Sequence, residues 1–387
     1  MTDSDRAWFV LAKARLDTAS LRSLLTQYGC AERIVALSGR ELKDSGVDGV
    51  ARTAIANPDE QAIARDLDWL SGSDHHVVHP ESEYWPELFR ELADAPTLLY
   101  VHGKPDTLHL PALAIVGSRN PTRGGVMNAY EFARHLAASG FCIVSGLAQG
   151  IDTAAHKGAL DANARTVAVL GHGIDRVYPA ANHDLAHRIA AEGALISEYP
   201  LGAHPRKEHF PERNRLISGM SLGTLVVEAA KRSGSLISAR LAAEQGREVF
   251  AIPGSIHNAM SRGCHQLIRQ GAKLVESADD IVDELGPLVA HLMQNSERRS
   301  AESATRAAPV PRRDAEYEKL LAVLGHDPAT VDELARQSGL TIGQVSSMLL
   351  ILELEGQIEA LNSGQYAKIG SSSRHERERT RRTDVSF

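Results

Sequence analysis

The sequence predicts an α/β fold built on one extended parallel sheet, with a helical module before it and a winged helix after it. Between Leu113 and about Leu285, short apolar runs rich in β-branched residues alternate with segments of helical length. This alternation is typical of right-handed β-α-β units, which build a Rossmann-like parallel sheet. The strands are predicted at residues 113–116, 142–145, 166–170, 195–197, 224–227, 248–252 and 273–275.

Length and composition are those of an ordinary soluble globular protein of two or three domains. The chain has 387 residues, of which 43% are hydrophobic and 24% are charged, and these values exclude a disordered or fibrous protein. The formal net charge of −7 argues against wholesale polyanion binding. It does not exclude nucleic acid, because a binding face depends on where Arg and Lys lie rather than on their total.

Cysteine usage and hydropathy predict a cytoplasmic protein. Cys30, Cys142 and Cys264 are odd in number and form no C-x-x-C pair, so we expect no disulfide framework and a reducing compartment. The first residues lack the apolar core and the cleavage site of a signal peptide. No run reaches the ~20 apolar residues that span a bilayer, and we therefore expect no membrane association.

A small helical module is predicted over residues 1–80. Apolar residues recur at helical spacing over residues 6–70, and glycines separate the helical segments. The pattern fits a plain helical module and also a SAM or helix-hairpin-helix-like DNA binder, and the sequence leaves both open. His75, His76 and His79 follow, but they lack a carboxylate or cysteine at ligand spacing, so we expect no metal site.

The C-terminal region is predicted to carry a winged helix behind a flexible linker. The sequence divides into a Rossmann-like domain at 81–290, a linker at 291–315, a winged helix at 316–370 and a disordered tail at 371–387. The linker is rich in Arg, Ser, Ala and Pro. Three helical patterns and a two-stranded hairpin indicate the winged helix, at Tyr317–Leu324, Val331–Ser338, Thr341–Glu355, Ile358–Leu361 and Gln365–Ile369.

Strand, small-residue turn and helix follow one another twice between Ala114 and Gly158. The first turn is Gly117-Ser118-Arg119, and the second runs from Ser145 to Asp152 through Gly146. At the carboxyl ends of parallel strands, such turns gather backbone N–H groups and helix N-termini that favour anions. Arg119 adds a guanidinium group whose N–H donors can bind two phosphate oxygens at once. The sequence therefore predicts a phosphate-handling platform.

Two polar residues behind the second turn have structural explanations. Asp152 is well placed to cap the N-terminus of the helix that follows. His156 lies where the helix packs on the preceding strand, so we expect a satisfied core histidine rather than a catalyst.

The segment from Pro205 to Arg215 combines basic residues with one aromatic ring, Phe210. This combination suits single-stranded nucleic acid, because cations follow the phosphates while a ring stacks on a splayed base. The excess of positive charge stands out in an acidic chain. Between Leu195 and Arg240 there are seven Arg or Lys (206, 207, 213, 215, 231, 232 and 240) against four Glu (198, 208, 212 and 228).

A third small-residue turn, Ser233-Gly234-Ser235, closes a further strand, where Ser235 can cap the next helix. Motifs of catalysis are missing: there is no Walker lysine, nucleophile elbow or pair of carboxylates in motif context. Gly171-His172-Gly173 begins like a dinucleotide fingerprint, but Arg176 replaces its third glycine. We expect no catalytic residue, no cofactor and no metal.

Taken together, these motifs resemble the DprA/Smf family, the DNA processing protein A of bacterial transformation. The resemblance covers about Tyr84 to Leu285, and the order and spacing of its motifs make it highly specific. They are Gly117-Ser118-Arg119, Ser145-Gly146-Leu147-Ala148 with 150–156, Tyr178-Pro179 with Asn182, Phe210-Pro211 with Arg213-Asn214-Arg215, and Glu228-Ala229 with Ser233-Gly234-Ser235.

The resemblance implies a non-enzymatic protein that binds single-stranded DNA without reading its sequence. It further implies a homodimer formed through the Rossmann-like domain, and a role in loading the RecA recombinase during DNA uptake and recombination. By position, Arg119 and Lys207 would hold phosphates and Phe210 would lie near a base, with Arg213 and Arg215 in the same pocket. The full set expected to bind DNA is Gly117, Ser118, Arg119, Gly146, Lys207, Phe210, Arg213, Asn214, Arg215, Ser233, Gly234, Ser235 and Arg240.

Two other functions are weighed against this one. The same sheet resembles the LOG-type nucleotide phosphoribohydrolases, which place a glutamate just after a Gly-Gly-x-Gly-Thr turn. Here the corresponding turn begins at Ser233 and meets no carboxylate before Glu244. A sequence-specific regulator acting through the winged helix is weakened because Thr341–Glu355 offers Gln344 but no Arg or Lys for base edges.

Overall fold

The structure is a computed structural model, and its described residues fall into two compact units, one within Met1–Met293 and one within Gln294–Phe387. Described are residues 2–290, 319–320, 323–324, 329–340, 345, 348–349, 352, 358–361 and 365–368. The linker and the tail predicted at 291–315 and 371–387 lie outside the described residues.

Six helices occupy the N-terminal region, as the apolar periodicity predicts. Capping boxes fix two of their starts, with Thr2 and Asp5 at the first helix and Ser38 and Glu41 at the fourth. The apolar faces of these helices share one core with residues of the sheet, including Tyr100. The helices are α1 (Asp3–Ala14), α2 (Thr18–Tyr28), α3 (Ala31–Val35), α4 (Gly39–Asp44), α5 (Gly49–Ala56) and α6 (Glu60–Leu70).

Nine strands of the described region form one sheet, in the order β1-β2-β6-β5-β4-β3-β7-β8-β9. All neighbours are parallel except β1 with β2 and β2 with β6, which are antiparallel. Every strand predicted for the parallel sheet is present, and the α/β class is confirmed. The strands are β1 (His75–Val78), β2 (Leu99–Gly103), β3 (Ala112–Val116), β4 (Cys142–Ser145), β5 (Thr166–Val169), β6 (Ala194–Ser197), β7 (Gly223–Val226), β8 (Glu248–Ala251) and β9 (Lys273–Leu274).

Helices cover both faces of this sheet and bury the central strands completely. In β3, Leu113 and Ile115 enter one apolar cluster, while Ala114 and Val116 enter the cluster on the opposite face. Such two-sided burial is typical of central parallel strands. The helices are α7 (Arg123–Ala138), α8 (Ile151–Asp161), α9 (His183–Glu192), α10 (His209–Gly219), α11 (Ser235–Glu244) and α12 (Arg262–Arg269), followed by a helical segment at 279–290.

The order of the strands creates a topological switch point between β3 and β7. From β3 the chain builds β4, β5 and β6 outward on one side, and it returns to place β7, β8 and β9 on the other. The turns after these two strands stay joined, because the Ser118 N–H donates to the Glu228 carbonyl at 2.8 Å. In open α/β sheets, ligands bind in the crevice at such a point. The fold thus indicates where to look for a site.

His156 on α8 is a core histidine, as predicted, but it is not fully satisfied, because its buried Nε2 has no hydrogen-bond partner among the described residues. Its side chain is fully buried, and its Nδ1 lies 2.8 Å from Thr166 Oγ1. The Thr166 hydroxyl itself donates to the Ile143 carbonyl at 2.6 Å, so His156 Nδ1 carries a proton and donates it. Burial lowers the pKa of His156 to about 3 from an ordinary 6.5.

His156 should make the protein sensitive to acid. As the pH falls through 6.5, the unfolded chain protonates this side chain while the folded protein keeps it neutral. The free energy of unfolding therefore falls progressively with pH, by about 2 kcal/mol between pH 6.5 and pH 5. We expect His156→Gln to remove that share of the pH dependence in urea unfolding. The exposed His257→Gln is the control, and equal pH dependence in the two variants would contradict the expectation.

The second unit contains the predicted hairpin and the predicted helix before it. A three-stranded antiparallel sheet has the order β10-β12-β11. Its elements are β10 (Ala329–Thr330), α13 (Val331–Ser338), β11 (Ile358–Leu361) and β12 (Gln365–Lys368). The helices predicted at Tyr317–Leu324 and Thr341–Glu355 are described only at a few positions, including the buried Leu320 and Leu349.

Candidate nucleic-acid interface

A cleft of about 610 Å³ opens at the switch point, lined by the loops and helix starts that follow strands β3 to β8. Its lining brings together residues that lie far apart in the chain. They are Val116, Gly117, Ser118, Arg119, Ala148, Asp152, Tyr178, Lys207, Phe210, Pro211, Arg213, Asn214, Ile217, Ala230, Ser233, Gly234, Ser235, Ile237, Ser238 and Met260.

The turn after β3 forms the centre of the cleft. Gly117 allows the first turn of α8 to approach closely, since a Cβ atom there would lie 2.6 Å from Ile151 Cγ1. Ser118 is nearly buried, and its Oγ accepts the Asn120 N–H at 3.1 Å. The hydroxyl proton of Ser118 is thereby left to donate into the cleft.

Two cations of the cleft, Arg119 and Lys207, form no ion pair within the part of the chain that the structure describes. Arg119 and Lys207 are both exposed, and within the described residues no carboxylate lies within 4.0 Å of either charged group. The Arg119 guanidinium instead lies over the Phe210 ring, 5.2 Å from its centroid, in a cation–π contact. Both charges are therefore available to an anion.

Two aromatic rings form one wall of the cleft. Phe210 is half-buried, and the Tyr178 ring lies 5.9 Å from it, centroid to centroid. Tyr178 is 48% exposed, so its ring is the more accessible of the two. The predicted set of DNA-binding residues omits Tyr178, although Tyr178-Pro179 is one of the motifs that carry the resemblance.

Arg213 lies beneath the floor of the cleft rather than in its open space. Only 3% of Arg213 is exposed, and its Nη1 donates to the carbonyls of Gly146, at 2.9 Å, and Val169. Burial lowers the pKa of Arg213 to about 10, so it stays charged at neutral pH. A Cβ atom on Gly146 would lie 2.4 Å from the Arg213 guanidinium, which explains the glycine at this position.

Asp152 binds the turn before α8. The predicted capping of this helix by Asp152 is wrong, because the N-cap residue is Gly150 and no side-chain bond is made there. The Asp152 Oδ2 accepts the N–H groups of Gly146 at 3.1 Å and Ala148 at 3.3 Å. Burial raises the pKa of Asp152, while the Arg213 charge and these N–H groups oppose the rise. Arg213 and Asp152 together fix the shape of the second turn.

Glu228 closes the opposite side of the switch point. Its buried carboxylate accepts the backbone N–H of Thr122 at 2.9 Å and the Thr122 hydroxyl at 2.7 Å. These bonds tie the turn after β7 to the start of α7. Both Glu228 carboxylate oxygens are thus bound by Thr122, and Glu228 is not among the residues that line the cleft.

The turn after β7 contributes Ser233, Gly234 and Ser235 to the lining, as predicted. The Ser233 and Ser235 hydroxyl oxygens lie 2.7 Å apart and bind one another. Ser235 does not cap α11 as predicted, because it is the first residue of this helix, and its backbone N–H donates to Ser233 Oγ at 3.3 Å. Across the cleft, Asn214 Oδ1 accepts the Arg213 Nε–H at 3.3 Å.

Two arginines of the predicted set lie outside the cleft. Arg215 is held by Glu198 in a two-pronged ion pair of 2.7 and 2.6 Å, with Asp94 at 3.2 Å. Arg240 is exposed and lies 3.5 Å from Glu244, one turn further along α11. Their charges are therefore paired within the protein, and neither residue lines the cleft.

Neither a metal site nor a membrane span is found in the described part of the chain. No three His, Cys, Asp or Glu side chains there are placed to hold a metal ion. The helices described there are also too short or too polar to cross a bilayer.

Two family models match the chain. The model for DNA recombination-mediator protein A covers residues 76–286, and the model for the DprA winged helix domain covers residues 304–364. The predicted winged helix is thereby confirmed.

Named relatives and solved structures agree with these models. Protein Smf of Escherichia coli is 42% identical over 308 residues, which is 79% of this chain and 80% of that protein. DNA processing protein DprA of Bacillus subtilis is 36% identical over 285 residues, 73% of this chain and 96% of that protein.

Among solved structures, DNA processing protein A of Streptococcus pneumoniae matches with a TM-score of 0.65 and 37% identity, over 73% of this chain and 99% of that one. DNA processing protein A of Helicobacter pylori, described by its single-stranded DNA binding mode, matches with a TM-score of 0.50 and 32% identity, over 54% and 95%. The cleft at the switch point, the Rossmann-like sheet and these matches lead to one conclusion: the chain belongs to the DprA/Smf family of DNA processing proteins.

Proposed function

We propose that this protein binds single-stranded DNA without sequence specificity, through phosphate contacts in the cleft at the switch point. The observation that carries the proposal is that the unpaired Arg119 and Lys207 line the same cleft as the accessible ring of Tyr178. Cations bind the phosphates that every nucleotide carries, and an aromatic ring stacks on any base. A base edge is not needed for either contact, so affinity is nearly independent of sequence.

The cleft favours single strands over duplex DNA. A base reaches the rings of Tyr178 and Phe210 only when it is unpaired and splayed out from its neighbours. In a duplex the faces of the bases are stacked within the helix, and only the phosphate contacts remain. The proposal therefore predicts preference for single strands as well as strong salt dependence.

A titration with labelled oligo-dT and with a duplex of equal length tests this function. We expect tighter binding of the single strand at about 50 mM salt, and a steep loss of affinity at about 200 mM. Equal affinity for both DNAs, or binding that does not respond to salt, would contradict the proposed function.

We propose further that the protein forms a homodimer in the cytoplasm and helps load the RecA recombinase onto the bound strand during DNA uptake and recombination. The description of the matching family as a recombination mediator supports this role. Binding through phosphates also suits it, because the strand's Watson–Crick edges stay free for pairing.

Catalysis is not part of the proposed function. The carboxylates nearest to the cleft are engaged: Asp152 accepts two backbone N–H groups and Glu228 accepts two bonds from Thr122. Neither is placed as a free general base. The alternative, a LOG-like nucleotide phosphoribohydrolase, would be supported if the purified protein released free base from nucleoside monophosphates.

Tyr178→Ala should weaken binding through lost stacking. Removing a ring that stacks on one base costs roughly 1–3 kcal/mol, and this loss should not vary with salt because no charge is removed. Tyr178→Phe keeps the ring and should bind like the wild type. The measurement is fluorescence anisotropy at two salt concentrations. Equal weakening by both variants would assign the effect to the Tyr178 hydroxyl instead of the ring.

A further inference from the structure

We propose that Lys231 and Arg232 form a second phosphate subsite, which receives the DNA strand as it leaves the cleft. The inference rests on the proposed function, since it concerns the path of the same strand. It assigns a role to two cations that the predicted DNA-binding set does not include. The ligand chemistry is the sugar–phosphate backbone of a single strand, whatever its bases.

The position of these two residues follows from the lining of the cleft. Ala230 lines it on one side of the pair and Ser233 on the other, so Lys231 and Arg232 lie at its rim. Both side chains are exposed. Lys207 belongs to the loop after β6, on the opposite side of the turn after β3. A strand bound by Lys207 and Arg119 therefore meets this rim next.

Neither Lys231 nor Arg232 forms an ion pair with a described residue, which distinguishes them from Arg240 nearby. By contrast, Arg240 on the following helix is paired with Glu244 at 3.5 Å. An unpaired cation gives up no internal bond when it binds a phosphate.

The backbone of this loop is fixed at both ends. Ala229 donates its N–H to the Met260 carbonyl at 2.8 Å and accepts the Gly263 N–H at 2.8 Å. After the two cations, Ser233 donates its N–H to the Ala230 carbonyl at 3.0 Å. The two charges thus extend from an ordered turn, and less conformational entropy is lost when they bind.

Binding of oligonucleotides of two lengths tests the subsite. The double variant Lys231→Ala/Arg232→Ala is compared with the wild type on oligo-dT of about 4 and about 16 nucleotides, which bracket the site sizes of single-strand binders. We expect the variant to bind the short oligonucleotide like the wild type and the long one at least tenfold more weakly. For the long one, the slope of log K against log salt should become shallower by about 1.4, or about 0.7 for each lost phosphate contact.

A control variant removes the same charge elsewhere. Lys43→Ala/Lys157→Ala takes away two exposed lysines that do not line the cleft, and it should bind both oligonucleotides almost like the wild type. If the control weakens binding of the long oligonucleotide as much as the rim variant does, the effect is one of net charge and the subsite is refuted.

The subsite and the proposed function fail in different ways. If Arg119→Ala/Lys207→Ala weakens binding of both lengths while Lys231→Ala/Arg232→Ala leaves the long one unchanged, the subsite is wrong and the function stands. If the wild type binds no single strand, the proposed function is wrong. If it binds one and its affinity does not fall when Arg119 and Lys207 are replaced, the assignment of the site is wrong.

Discussion

Replacing Arg119 and Lys207 together by alanine is expected to weaken binding of single-stranded DNA by about 100-fold. A hydrogen bond to a charged group contributes about 1.5 kcal/mol or more, which is roughly tenfold in affinity for each residue. Neither side chain has an ion-pair partner among the described residues, so its loss leaves no buried charge uncompensated. The weakening should therefore reflect the lost phosphate contacts and not a change in the fold.

The affinity of this variant should change in a characteristic way with DNA sequence and with salt concentration. Affinities for oligo-dT, oligo-dC and mixed sequences should fall by the same factor, because phosphates carry no sequence information. The salt slope should become shallower by about 1.4 for two contacts to a single strand. Lys157→Ala, which removes an exposed lysine outside the cleft, is the control. A double variant with wild-type affinity would rule out this assignment of the site.

Arg213→Met should produce the largest loss of stability. The buried guanidinium bonds to the carbonyls of Gly146 and Val169 and faces the buried Asp152. Methionine leaves both buried carbonyls without their donor, at about 1–3 kcal/mol for each unsatisfied group, and it removes the positive charge that opposes burial of the Asp152 carboxylate. We expect a loss of that size in the free energy of unfolding by urea.

A double-mutant cycle with Asp152→Asn separates the charge interaction between Arg213 and Asp152 from simple packing. Asn keeps the shape of the side chain but removes the charge, so the two substitutions together should destabilise by less than the sum of their separate effects. If the effects add, or if Arg213→Met unfolds at the wild-type urea concentration, Arg213 does not support the second turn in the way described.

Much of the fold could be predicted because local patterns and tertiary structure agree. The strands that precede the turns of the cleft are rich in apolar and β-branched residues, as in Ala114–Val116 and Thr224–Val226. They are buried on both faces of the sheet. The turns themselves are rich in Gly and Ser because helices and strands approach closely there. Gly117, for example, packs against the first turn of α8. Such features follow from spacing and residue type alone.

The roles of single arginines could not be predicted in the same way. Arg213 and Arg215 lie two residues apart on one helix, yet they point to different partners, the carbonyl of Gly146 and the carboxylate of Glu198. These partners come from distant parts of the chain. A sequence shows that both residues are basic, but it does not show whether a charge is used inside the protein or left for a ligand.

Two further features depend on tertiary contacts. The N-terminal helices were predicted as a separate module, but Trp8 and Phe9 belong to the same apolar cluster as Tyr100 and Leu170 of the sheet domain. Tyr178 was also missed as a ring of the cleft. It lies 32 residues before Phe210 in the sequence, and only the fold brings the two rings within 5.9 Å of each other.

Photo-cross-linking maps the DNA directly and needs no substitution in the protein. Oligo-dT carrying 4-thiothymidine is bound to the wild-type chain, irradiated, and the modified peptides are identified by mass spectrometry. We expect cross-links in the peptides that contain Tyr178, Phe210 and Ser233, which line one cleft from two loops and from the first turn of α10. Cross-links confined to the N-terminal helices or to Ala329–Ser338, with none in these three peptides, would contradict a binding site at the switch point of the sheet.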